Sequence, residues 1–368
     1  MDVLITGESY IYRNPSPAAR SRQAFFPGVA KLPNGELLAL FVMGEAFEAA
    51  NCRAHKARSL DGGASWQYEG PMFPDGASVF GPTFSDGYKP TTLADGTLLA
   101  AGYGFVREDP ELSLSDAIAR GALPPCHNVV ARSVDGGRHW TPPAPMGAEV
   151  DGLELSGPAV CLRDGRVVCA APRFSPFPDG PQQGLTFSSG DQGRSWRRLG
   201  DYFDLPGVTA WETRCVESEP GKLALLLWAY DLRRREHQCN YFATSDDGGE
   251  TWNAPVATGV MAQASTLLYL GGQRLLTLHA HRSAEECGLF LRHVDIAGGR
   301  FETLDSRPLW QQASMRNADG GIDRQFANLK FGQPGLLHVT GDDYLAYCWL
   351  WEDMAYVCKA YRLRITAR

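Results

Sequence analysis

Six times along this chain, apolar residues alternate into a tight turn and out again. The runs are Leu32-Pro33-Asn34-Gly35-Glu36-Leu37-Leu38, Leu93 to Leu99, Leu162 to Val168, Glu219 to Leu223, Leu270 to Leu276 and Val339 to Leu345. Period-two alternation marks half-buried strands, and Asn-Gly, Asp-Gly or Gly-Gly between two such runs marks a hairpin. Counted between Gly35, Gly96, Gly165, Gly221, Gly272 and Asp342, the spacings are 61, 69, 56, 51 and 70 residues. That length suits one four-stranded sheet with its loops, so the pattern predicts six repeated sheets.

An independent repeat, Ser-x-Asp-x-Gly-x-x-Trp, occurs at Ser59 to Trp66, Ser133 to Trp140, Ser189 to Trp196 and Ser245 to Trp252. In such a turn the Asp accepts backbone N–H groups, the Gly takes a dihedral closed to other residues, and the Trp, expected to be buried, seals the hairpin. These motifs resemble the Asp-box repeat of the sialidase-like β-propeller superfamily. Three boxes place their Asp 26 residues after the turn Gly: Gly35 to Asp61, Gly165 to Asp191 and Gly221 to Asp247. The second unit inserts Glu108 to Pro125 between these landmarks, and the fifth keeps a degenerate box, His293 to Phe301. The sixth has none, and its third strand would be Tyr356 to Ile365. Its missing outer strand is best supplied by Val3 to Tyr12, which leaves no exposed sheet edge. The expected fold is an all-β, six-bladed β-propeller of four-stranded blades, one domain over residues 1–368, with the amino-terminal strand closing the last blade.

Composition narrows the setting. With 44% hydrophobic residues, 40 Gly and 24 Pro, the chain reads as turn-rich and well cored. A net charge of −7 argues against nucleic acid as a partner. No stretch reaches the roughly 18 apolar residues that span a bilayer, so no membrane partner is expected. The start, Met1 to Glu8, lacks a basic and an apolar secretion region, and nine Cys without Cys-x-x-Cys spacing suit a reducing compartment. A cytoplasmic protein without cofactor is the expectation.

The resemblance also implies where chemistry would sit. Sialidases carry a carboxylate-clamping Arg ten residues before the first turn Gly, and here that residue is Phe25. Their nucleophilic Tyr belongs nine residues before the sixth turn, where this chain has Gln333. The Glu that partners this Tyr stands nine residues before the fourth turn, and Glu212 is there. The acid/base Asp lies eleven residues before the first box Ser, where this chain has Glu48. So the resemblance implies the fold and a carbohydrate substrate, with Glu212 and Glu48 as catalytic candidates, but not sialidase activity.

Other residues follow from register. Gln263 and Gln333 share the position of Glu212 in units 5 and 6, and together the three would floor a sugar site. The tenth residue after each turn marks a rim and holds Glu45, Asp231, Arg282 and Glu352, with Tyr230 and His281 just inside. Asp86 and Lys89 head the inner strand of unit 2, and Lys89, Arg214 and Arg282 are candidates for a substrate anion. Phe25, Phe26, Trp211, Trp349 and Trp351 are candidates for stacking on a sugar ring. His279 and His281 share a strand face and with Glu45 have donor types a metal accepts, yet no ligand spacing supports one, so no metal is expected. Three functions stay open: a hydrolase removing a terminal sugar with Glu212 and Glu48, a lyase on a uronate with His281 or Tyr230 as base, and a non-catalytic propeller binding glycans or proteins.

Overall fold

The turns form where the alternation breaks. Gly35 takes φ +88° in the first, and in the sixth the positive φ falls on Gly341 at +51°, one residue before the landmark used for counting. The computed structural model describes residues 2–74, 84–147, 149–317, 325 and 328–366. Within them stand six antiparallel four-stranded sheets, the blades of a six-bladed β-propeller. Blade 1 runs Gln23–Lys31, Leu37–Gly44, Arg53–Ser59 and Gln67–Pro71 from inside outward, and blades 2 to 5 repeat that order. Among the described residues, no helix is long and apolar enough to cross a membrane.

Blade 6 departs from this order as the sequence requires. Its strands Phe331–Thr340, Asp343–Glu352 and Ala355–Thr366 are followed outward by Asp2–Tyr12, antiparallel to Ala355–Thr366. The contacts divide the chain into two compact units. One holds residues 1–145 and 330–368 with blades 1, 2 and 6; the other holds residues 146–329 with blades 3, 4 and 5.

The boxes build their turns from side-chain oxygens. In the first, Asp61 accepts the Ser65 N–H at 2.9 Å and Ser59 Oγ accepts the Gly63 N–H at 2.8 Å. The same pair of bonds recurs around Asp135, Asp191 and Asp247. The four box tryptophans are half-buried, not buried as expected. Two reach sideways: Trp66 Nε1 donates to Ser9 Oγ of blade 6 at 3.2 Å, and Trp252 Nε1 donates to Thr186 Oγ1 of blade 3 at 3.1 Å. These two stitch a blade to its neighbour.

Gly63 shows how tightly these turns sit. Its φ is +88° and a Cβ there would lie 2.6 Å from Leu345 Cδ1. Gly63→Ala combines a left-handed backbone with overpacking and should cost about 2 kcal/mol or more. A denaturant midpoint equal to that of the unchanged protein would contradict this account of the turn.

Candidate functional site

Glu212 opens the inner strand of blade 4, Trp211–Glu219, at a φ of +49° that side-chain-bearing residues seldom adopt. The cause is a bulge, because pairing with Lys222–Trp228 slips between Trp211 and Arg214. Phe26 in blade 1 (φ +56°) and Gln333 in blade 6 (φ +38°) lie in matching slips of their own inner strands. The register counted from the turns is thus repeated in the backbone. Strain of this kind costs energy and clusters at sites where a side chain must be re-aimed.

In the unit of blades 3 to 5, Glu212 belongs to a buried charged group. Its N–H donates to the Glu154 carboxylate, 3.3 Å from Oε1 and 3.2 Å from Oε2. Arg282 Nη2 stands 3.7 Å from Glu212 Oε2, an atom that is buried without a hydrogen bond among the described residues. Arg214 Nη1 donates to Ser156 Oγ at 3.1 Å and to the Thr213 carbonyl at 2.9 Å. Glu154 is only 5% exposed and Arg282 1%. Burial and then the charge of Glu212 hold the Glu154 carboxyl well above the usual range, since loss of water disfavours its ionised form. Burial pulls Arg282 down, and Glu212 opposes that pull. Two carboxyl groups therefore share one site in unlike environments, one kept neutral and the other beside a guanidinium.

Around them stands an aromatic wall. Tyr230, 1% exposed, stacks on Trp211 at 6.1 Å, and the Arg282 guanidinium lies 5.5 Å above the Trp228 ring. Tyr230 and Trp211 are thus core residues, and neither offers a face to a sugar. Gln263 turns its carbonyl oxygen to the Arg282 N–H at 2.7 Å, which fixes the arginine's backbone. His281 Nε2 accepts from Arg292 Nη2 at 3.1 Å, and burial with the charge of Arg292 pulls its pKa down to about 4. It is a neutral imidazole whose accepting nitrogen is engaged. His279 has both nitrogens committed, to Asn240 and Thr277 at 2.9 Å each, which rules it out as a metal ligand. Asp231 accepts the N–H groups of Arg233 and Arg234 at 3.0 and 2.9 Å and so shapes the hairpin of Tyr230–Asp231 with Glu236–His237.

In the unit of blades 1, 2 and 6, a buried ammonium is the central feature. Lys89 Nζ donates to the Phe26 carbonyl at 2.5 Å, the Pro27 carbonyl at 3.1 Å and Gln333 Oε1 at 3.1 Å. Asp86 accepts from the Ala54 N–H at 3.3 Å and the Tyr88 hydroxyl at 3.2 Å, and burial pushes its pKa up to about 6. Glu48 accepts both the N–H of Ser115 at 2.9 Å and its hydroxyl at 2.8 Å, holding the first turn of the helix Leu114–Ala119 inside the blade 2 insert. Trp349 is fully buried against Phe26, Phe47 and Tyr356, while Trp351 remains 36% exposed. Glu352 accepts from the Tyr10 hydroxyl at 2.5 Å and lies 3.7 Å from Lys359 Nζ, and Glu45 is exposed.

No protein-family model matches the sequence, and no curated protein is significantly similar to it. Solved structures do match. A protein of unknown function from Dyadobacter fermentans superposes with a TM-score of 0.76 at 20% identity over 99% of each chain. A Hadza microbial sialidase superposes with a TM-score of 0.67 at 16% identity, over 93% of this chain and 66% of its own. The NanB sialidase of Streptococcus pneumoniae gives 0.66 at 11% identity, over 96% of this chain and 70% of its own. The fold is that of the sialidase-like propellers.

For this sialidase-like propeller, register from the turns led to Glu212, Arg282, Gln263 and Gln333, but not to Glu154. Glu154 precedes the register position of blade 3, Ser156, by two residues, and its loop is irregular up to the short strand Val160–Cys161. Only the fold brings it beneath the Glu212 N–H. His237 was missed as well. Its Nε2 lies 2.8 Å from Gln325 Oε1, and its ring stands 5.1 Å from that of Tyr230.

Proposed function

We propose that this chain is a carbohydrate-active enzyme, a glycoside hydrolase that removes a terminal sugar from a small oligosaccharide or glycoconjugate and is not a genuine sialidase. One observation carries the reading: Glu154 and Glu212 form a buried carboxyl pair, in which burial and the neighbouring charge hold Glu154 protonated while Glu212 faces the Arg282 guanidinium. The neutral Glu154 donates its proton to the glycosidic oxygen as the bond to the anomeric carbon breaks. The carboxylate of Glu212, steadied by Arg282, takes the proton of the attacking water. In this reading Glu154 takes the place first given to Glu48, whose two oxygens are occupied by Ser115. Arg214, in the same unit as the pair, is the cation that remains for holding the sugar. The absent clamp at Phe25 and the Gln at position 333 speak against sialosides. A reducing, cytoplasmic setting agrees with six of the nine cysteines being buried.

The test is turnover of purified protein on a panel of aryl glycosides, a chromogenic sialoside, and uronate-containing oligosaccharides followed for unsaturated-product absorbance. The expected outcome is hydrolysis of at least one non-sialic glycoside at about 1 per second or faster, a common enzyme rate. Unsaturated product would assign a lyase instead, turnover of the sialoside would overturn the exclusion, and binding without turnover would assign a glycan-binding propeller.

A further inference from the structure

At the turn-bearing end of blades 1 and 6, far along their strands from Phe26 and Gln333, lies a cleft of about 500 Å³ that the proposed hydrolysis does not use. Its lining includes Lys31, Asp61, Tyr344, Arg362 and Arg364. Arg362 is the unusual member. It pairs across the sheet with Gly7, and a Cβ on residue 7 would lie 3.0 Å from its Cζ, so the glycine is what lets the guanidinium lie against the backbone. Its Nε is buried without a hydrogen bond, and it makes no ion pair among the described residues.

The neighbouring charges do not neutralise it. Lys31 donates its ammonium to the Val339 carbonyl, not to an acid. Asp343 is taken by Arg364 at 3.0 Å. Asp61 is held inside its box by Ser59 Oγ at 2.8 Å and the Ser65 N–H at 2.9 Å. Five charged residues line the cleft, three cations against two acids, which leaves one positive charge in excess. A buried donor without an acceptor is a standing penalty, and the planar fork of Arg is matched best by two oxygens of one anion.

We propose that this cleft is a second binding site, one that takes a small molecule of about monosaccharide size through a carboxylate, sulfate or phosphate group bound by Arg362 with Lys31 beside it. The volume falls in the range of small-molecule sites, roughly 300–1,000 Å³. The box turn at Asp61 and the blade 6 turn at Asp343 supply its walls, so these turns gain a role besides closing hairpins.

The test is titration of the full chain with glucuronate, glucose 6-sulfate and glucose 6-phosphate, with glucose as the neutral control, by calorimetry or ligand-detected NMR. At least one anion is expected to bind with a Kd of about 1 mM or tighter, at least about tenfold tighter than glucose. Arg362→Met should weaken that anion at least about tenfold. Gly7→Ala, which keeps the charge but displaces the guanidinium, should do the same, and melting temperatures identify any variant that is merely misfolded. Arg362→Lys restores the charge without the fork and should recover only part of the affinity. Which anion binds tightest distinguishes carboxylate, sulfate and phosphate. The proposal falls if none binds below about 10 mM, if glucose binds as well as the anions, or if a folded Arg362→Met chain keeps the affinity of the unchanged protein.

Discussion

Glu154→Gln and Glu212→Gln should each lower turnover by about 10²–10⁴-fold on whichever glycoside the protein cleaves, the span that general acid–base groups contribute. The two differ in every other readout. Gln at 154 copies the neutral carboxyl already present and its side-chain oxygen can still accept the Glu212 N–H, so the melting temperature in acid should barely move. Gln at 212 removes the charge that faces Arg282 and leaves a buried guanidinium without its partner, so stability should fall as well. The sign of the pH effect follows from Glu154. Its folded pKa lies above its unfolded value near 4.5, so its favourable contribution is complete below that pH and is lost as pH rises toward the folded value. Glu154→Gln should therefore lose less melting temperature than the unchanged protein between about pH 4.5 and the folded pKa. Full turnover in both variants would dismiss the pair, and full turnover in the 154 variant alone would return Glu48 to candidacy.

Deleting residues 2–12 should leave no natively folded chain. The strand Asp2–Tyr12 pairs with Cys358 to Thr366, buries Ile11 and Tyr12, and supplies the Tyr10 bond to Glu352 and the Ser9 bond to Trp66. Without it, the edge from Cys358 to Thr366 stands open, and an unprotected edge pairs with whatever strand it meets. Species larger than the unchanged protein are expected by size-exclusion chromatography, and a synthetic peptide of residues 2–12 should restore both its elution volume and its thermal transition. A truncated chain that elutes with the unchanged protein and keeps its melting temperature would show that blade 6 does not depend on this strand.

Most of the fold was legible because its determinants are local. Each hairpin carries its own turn residues and each box its own Ser, Asp and Gly, so blade number, order and the role of the amino-terminal strand follow from sequence spacing. Register placed Glu212 and Gln333 at positions that prove to lie in strand slips, while in blade 1 it pointed to Phe25 and the positive φ falls on its neighbour Phe26. What escaped depends on partners distant in sequence. Glu154 meets Glu212 across 58 residues, and Glu48 meets Ser115 across 67. Side-chain direction was hidden too. Tyr230 and Trp349 lie at or just past the ends of second strands yet turn into the core, where Tyr230 stacks on Trp211 and Trp349 packs on Phe47. The short helix in the blade 2 insert left no apolar period long enough to read.

The clasp between Glu48 and Ser115 bears on how such a protein diversifies. An insertion in a surface loop ordinarily adds a floppy flap, but here a single carboxylate from blade 1 grips the insert at both a backbone and a side-chain donor. The added segment is thereby a fixed lip at the edge of its blade. A lineage could exchange the residues beyond the grip, altering what the lip presents to an incoming molecule, while the six sheets stay untouched. Loss of Glu48 would loosen the lip without unfolding anything.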